Sequence, residues 1–154
     1  MSTVLITGSN RGIGLEFVKQ YSQNDCNVIA TCRNPSKADD LNELAEINSN
    51  INIIAADITQ EESINNLSAE LNNQPIDILI NNAAYLGPPD PQKFGAIDYE
   101  MFTRSFEVNA IGPIRITERL IDNVRSSDTK KIIFLGSAAG SIAQITPPVT
   151  LYSY

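Results

Sequence analysis

The chain has 154 residues, 42% of them apolar and 19% charged. That fits one domain able to bury a core of its own, with no disulfide or metal needed to hold it. Eighteen acidic against eleven basic residues leave a net charge of −7, which repels phosphate backbones and anionic lipid and argues against nucleic-acid or membrane partners.

No apolar stretch approaches the roughly 20 residues that cross a bilayer. Met1-Ser2-Thr3 runs straight into Val4-Leu5-Ile6 with no basic leader segment, so a cytoplasmic location is expected. Cys26 and Cys32, taken as buried thiols on one strand, would lie roughly 20 Å apart at about 3.3 Å per residue. That is too far for a disulfide, which needs alpha carbons within about 7 Å.

In chain order, Val4-Leu5-Ile6 is a first apolar run, followed by glycine-rich residues and a helical pattern with Ile13, Phe17, Val18 and Tyr21. Val28 to Thr31 is a second run. A helix from Ser36 to about Ile47 follows, with Leu41, Leu44 and Ala45 on one face. Ile51 to Ala55 is a third run, and Glu61–Leu71 repeats Ile64, Leu67 and Leu71 at helical spacing. A fourth run, Ile76 to Ile80, precedes a proline-containing loop from Tyr85 to Asp98. One long helix is predicted over Tyr99 to Val124, carrying Met101, Phe102, Phe106, Ile114 and Leu120. Lys131 to Leu135 is a fifth run, and Ala138 to Thr150 reads as a second proline-containing loop. Short unalternating runs suit strands buried on both faces. Strand and helix alternating five times predict an α/β fold, a Rossmann-type doubly wound parallel sheet in three α/β/α layers. Both loops should lie beyond the carboxyl ends of the strands, where such sheets bind ligands.

Thr7-Gly8-Ser9-Asn10-Arg11-Gly12-Ile13-Gly14 joins the first strand to the first helix. Glycines there permit a sharp turn, close approach to a pyrophosphate and tight helix–sheet packing, and a helix N-terminus offers amides to phosphate. No G-K-[S/T] follows, so this is not a P-loop. The T-G-x-x-x-G-x-G pattern resembles the short-chain dehydrogenase/reductase family.

An NAD site usually has an acidic residue about twenty positions on, to bond the ribose 2′-hydroxyl. Here the segment is Ala30-Thr31-Cys32-Arg33-Asn34, without a carboxylate. Arg33 offers a planar fork suited to a 2′-phosphate, and Arg11 is a second cation in reach. NADP(H) is therefore the expected cofactor. Asp57-Ile58 matches the family's adenine-contacting aspartate and its neighbour, with helix capping near Thr59 as the alternative role. Asn81-Asn82-Ala83-Ala84 is similar to the family's N-N-A-G, with Ala84 in place of glycine. Asn81, Ala83 and Ala84 are assigned to cofactor contact, while paired asparagines also satisfy backbone groups. No metal is assigned.

The resemblance implies hydride exchange between a nicotinamide and a small-molecule carbonyl or alcohol substrate. A tyrosine gives the proton, a lysine four residues later lowers its pKa, a serine holds the substrate oxygen, and a helix asparagine supports the lysine through water. Asn109 and Ser137 match the asparagine and serine, and Ser141 is less well placed. Tyr152-Ser153-Tyr154 fits the Y-x-Y-x-x-S-K of carbonyl-reductase-like members, favouring Tyr154 over Tyr152 as proton donor. The lysine would fall four positions beyond Tyr154. Residues 1–154 are thus expected to be the N-terminal part of a single NADP(H)-binding Rossmann domain, a truncated carbonyl-reductase-like chain with weak or no turnover alone. The full-length form is left open to homo-oligomerisation. The alternative is a non-catalytic NADP(H)-binding regulatory module. A sugar-nucleotide epimerase is disfavoured by the glycine spacing, and a methyltransferase by Arg33 where a carboxylate would bind ribose.

Overall fold

The computed structural model describes residues 1–87, 95–137, 141 and 143. Its five strands are β1 (Thr3–Thr7), β2 (Asn27–Cys32), β3 (Ile51–Ala55), β4 (Ile78–Asn81) and β5 (Lys131–Phe134), and its helices are α1 (Gly12–Gln23), α2 (Asp39–Ile47), α3 (Glu61–Leu71), α4 (Tyr99–Phe106) and α5 (Gly112–Arg125). All strand pairings are parallel, in the order β3-β2-β1-β4-β5. The chain runs outward from β1 to β3 and then crosses back to β4, so the strand order reverses between β1 and β4. In sheets of this type that reversal opens the ligand crevice.

Neighbouring residues of a strand point to opposite faces, and β1 divides its side chains accordingly. Leu5 joins Ile29, Ile54 and Leu79 beneath α3 and α5, where Leu67, Ile116 and Leu120 are fully buried. Val4 and Ile6 face the other way, with Val28, Ala30 and Ile80 against Val18 of α1 and Leu41 of α2. Two cores, one on each face, make the expected α/β/α sandwich. A fully buried aliphatic side chain contributes about 1.5–3 kcal/mol through loss of water contact.

The expectation that every strand is buried on both faces needs correction. β1 is wholly buried, whereas β3 buries only Ile51 and Ile54 and β5 is largely exposed. They are the two edges of the described sheet.

The helix expected over Tyr99 to Val124 is helical throughout but interrupted by a π-helical segment, Glu107–Ile111. Its inward stripe includes Leu120 but otherwise differs from the apolar residues singled out in the sequence. Ser105, Gly112, Ile116, Leu120 and Val124 are buried, while Phe102, Phe106 and Ile114 are 44%, 59% and 61% exposed. Near the site the stripe is made of small and polar residues, so hydrophobicity marks the wrong side. Ile13 is likewise exposed. Cys26 precedes β2 and is only half buried; both cysteines are free thiols. Burial pushes the Cys32 thiol above its ordinary pKa, partly offset by the Asn34 backbone. Among the described residues no helix is long and apolar enough to cross a membrane.

Candidate functional site

The carboxyl ends of β1 and β4 meet at the reversal of strand order, where Thr7, Gly8, Asn82 and Ala83 bind them together. Thr7 Oγ1 accepts hydrogen bonds from the amides of Asn82 and Ala83, both at 3.0 Å. Asn82 returns its side-chain amide to the carbonyls of Thr7 and Gly8, at 2.8 and 3.1 Å. Gly8 has φ +69°, and a Cβ there would lie 2.7 Å from the Ala83 Cα. Only glycine permits both the turn and the contact. The turn after β1 thus rests directly on the segment leaving β4.

From this contact the chain enters α1 at Gly12. Arg11, in extended conformation, precedes the helix without a side-chain capping bond, and the first turn holds no acidic residue. That leaves a positive dipole end facing outward. Gly12 has φ +57° with open space where a Cβ would project. Gly14 is packed, since a Cβ there would meet Gly8 O at 2.2 Å and Asn82 Nδ2 at 2.5 Å. Ser9 is fully buried; its hydroxyl donates to Ile6 O at 2.8 Å and its amide to Thr31 O at 2.9 Å. Its side chain therefore fixes the turn and faces inward. Asn10 is half buried, and Arg11 and Ile13 are exposed at the mouth of the turn.

Arg33 follows the last residue of β2 and is exposed. Among the described residues neither Arg33 nor Arg11 forms an ion pair. The donor set suits a dinucleotide carrying an extra phosphate: an uncapped helix end, a glycine with open space above it, and two unpaired guanidinium groups.

Asp57 lies two residues past β3, which ends at Ala55. Its carboxylate accepts from the Thr59 amide and hydroxyl at 2.9 and 2.7 Å, and its own amide donates to Ser63 Oγ. The helix-capping alternative is corrected here, because α3 starts at Glu61 after Gln60 and Asp57 closes the turn before it. Ile58 is buried against Gly112, whose Cβ would be 2.8 Å from Ile58 Cδ1. Arg115 bonds Thr59 O at 3.2 Å and pairs with Glu107. The long helix is thereby pinned to the turn after β3.

At the end of β4 the paired asparagines part. Asn82 serves the glycine turn, whereas Asn81 is buried and donates to Thr117 Oγ1 of α5 at 3.1 Å. Its side-chain oxygen has no partner among the described residues. Ala83 is half buried and Ala84 exposed. Asn109 sits within the π segment, a feature often found at functional sites. Its amide holds both main-chain groups of Tyr85, accepting from the N–H at 2.8 Å and donating to the C=O at 2.9 Å. Ser137 is exposed, three positions past the carboxyl end of β5, and Ser141 is half buried. Tyr152 and Tyr154 lie outside the described residues.

Sequence reasoning missed Thr7, Thr117 and Tyr85, whose work is to position others. Thr7 had a usable signal, a hydroxyl at the end of a buried strand directly before the glycine turn. Thr117 and Tyr85 act across long sequence separations and carried none.

The family model for short chain dehydrogenases matches residues 2–153. A short chain dehydrogenase from Penicillium aethiopicum is 35% identical over 150 residues, covering 92% of this chain and 59% of that protein. The NADPH-bound carbonyl reductase from chicken fatty liver has a TM-score of 0.82 at 30% identity, covering 93% of this chain and 62% of that one. A carbonyl reductase from Pseudomonas aeruginosa in complex with NADP has the same TM-score and identity, covering 93% and 64%. The chain thus spans about 60% of the length of these relatives. Fold, glycine turn and family match agree: this chain belongs to the short-chain dehydrogenase/reductase family.

Proposed function

We propose that the chain binds NADP(H) across the β1/β4 crevice and forms the cofactor-binding part of a reductase acting on carbonyl or alcohol carbon. The observation that carries this reading is the contact of Gly8 with Ala83 beside the uncapped start of α1. It leaves a tight turn, an open Gly12 and a positive helix end at the reversal of strand order.

In this reading the backbone from Gly8 to Gly14 receives the pyrophosphate. Arg33 and Arg11 take the 2′-phosphate, and the Asp57-Ile58 turn borders the adenine. The backbone of Asn81, Ala83 and Ala84 lines the floor, with the Asn81 side chain committed to α5. When bound, the nicotinamide supplies or accepts a hydride. Ser137 holds the substrate oxygen, Tyr154 delivers or removes its proton, and Asn109 supports the tyrosine's lysine partner while fixing the Tyr85 backbone. Support comes from the NADPH- and NADP-bound relatives of the same fold.

Fluorescence titration of the chain with NADPH and NADH tests this. Saturable binding with NADPH at least tenfold tighter is expected, and equal affinity would remove the 2′-phosphate role of Arg33. Binding without turnover when the catalytic face is complete would favour a regulatory module.

A further inference from the structure

Beyond the residues that would touch cofactor, the exposed Arg104 meets the segment that follows β4. The segment Ala84–Gly87 leaves the crevice floor directly after Ala83, and the long helix holds it at three points. Asn109 bonds both main-chain groups of Tyr85. Gly87, at φ +70°, approaches α4 so closely that a Cβ would stand 2.7 Å from Met101 Sδ. Between these, the Arg104 guanidinium lies over the Tyr85 ring, 4.6 Å from its centroid.

Arg104 is exposed and, among the described residues, pairs with no carboxylate. Its interaction is with the π-face of Tyr85, where a cation is attracted by the ring quadrupole. Asn109 fixes the position of the Tyr85 backbone, and the ring fixes how the side chain turns about it. The Asn109 bonds hold the Tyr85 main chain while the guanidinium engages its ring, so backbone and side chain of one residue are both tied to the long helix.

We propose that Arg104 is a positioning residue that latches the Ala84–Gly87 segment through the Tyr85 ring and so holds one wall of the cofactor crevice in its binding-ready form. This rests on the NADP(H) reading above, and deepens it by assigning a control on affinity to a residue remote from the ligand. The latch acts by restricting the free chain: fewer conformations must be lost when the ligand binds.

The test compares Arg104→Met, Arg104→Lys, Tyr85→Phe, Tyr85→Leu and the double variant Tyr85→Leu/Arg104→Met. Two readouts are used: NADPH affinity by fluorescence titration, and hydrogen exchange of the Tyr85–Gly87 amides without ligand. Arg104→Met should weaken NADPH binding about two- to fivefold, the size of an exposed cation–π contact, and should speed exchange in that segment. Arg104→Lys keeps the cation and should recover most of the affinity, and Tyr85→Phe keeps the ring and should bind as wild type. In the Tyr85→Leu background, removing Arg104 should have no further effect. Failure of the wild-type chain to bind NADPH would overturn the cofactor reading on which the latch rests. Wild-type binding with unchanged affinity and exchange in Arg104→Met, or an equal effect of that change with and without Tyr85, would overturn the latch alone.

Discussion

The side-chain amide of Asn109 pairs with both main-chain polar groups of Tyr85, at 2.8 and 2.9 Å, across 24 residues of chain. A residue that family resemblance places in catalysis therefore also carries a structural load in this fold. Asn109→Ala would leave a partly buried N–H and C=O unpaired, costing about 1–3 kcal/mol. For a chain of this size the melting temperature should fall about 2–4 °C per kcal/mol. Thermal unfolding followed by circular dichroism measures it. Asn109→Asp, which keeps the acceptor and loses the donor, should retain part of the difference.

Gly12 and Gly14 should separate cleanly by substitution. Gly14→Ala places a methyl 2.2 Å from Gly8 O, an overlap that backbone must move to relieve. A loss of about 3 kcal/mol or more in urea unfolding is expected. Gly12→Ala meets no neighbour within 4 Å and should cost only the strain of its positive φ, about 1–2 kcal/mol. Yet that open space is where a pyrophosphate is proposed to approach, so Gly12→Ala should fold and still lose NADPH affinity.

Arg33→Ala should weaken NADPH binding at least tenfold, since a charge-assisted hydrogen bond contributes about 1.5–3 kcal/mol. NADH affinity should stay within about twofold, measured by the same titration. Loss of both in equal measure would mean that Arg33 supports the fold of the β2 exit instead of reading the phosphate.

Asp77 lies at the opposite end of the sheet, where its carboxylate accepts the Thr3 amide at 2.8 Å and the Thr129 amide at 3.3 Å. The Thr3 backbone bond, foremost, lowers its pKa below the ordinary carboxylate value. A folded pKa lower than the unfolded one, about 3.9, stabilises the native state fully above that value. The contribution is lost as pH falls through the depressed folded pKa. Acid unfolding of wild type should therefore be steeper below about pH 4 than that of Asp77→Asn, which cannot titrate there. Coincident acid profiles would contradict the assignment.

Much of this architecture was legible in the residues themselves. Glu61–Leu71 was bounded correctly because Ile64, Leu67 and Leu71 repeat at helical spacing and all three are buried. The glycine turn was legible because a strained turn against a neighbouring strand admits almost no other residue, and its consequences at Gly8 and Gly14 are geometric. What stayed hidden has a common physical cause. On the long helix Ser105 and Gly112 are buried and Asn109 bonds Tyr85, so the inward positions near the site are small or polar, while the apolar Phe102 and Phe106 are exposed. β3 and β5 carry apolar runs like those of the inner strands, and their place at the two edges of the described sheet is not written in either run. The opposite commitments of Asn81 and Asn82 depend on which face of the sheet each side chain meets, which a dipeptide does not state. Tyr85, held by Asn109 and Arg104, is a loop residue whose partners lie about twenty positions away.

In the proposed complex NADP(H) lies across the β1/β4 crevice with its 2′-phosphate at Arg33. Amide chemical-shift mapping of the labelled chain during NADPH titration tests this most directly. Shifts are expected to concentrate at Gly8 to Gly14, Arg33-Asn34, Asp57-Ile58 and Ala83-Ala84, with the Arg33 region silent when NADH replaces NADPH. Shifts confined to the opposite end of the sheet, around Thr3, Asp77 and Thr129, or no shifts at saturating NADPH, would contradict it.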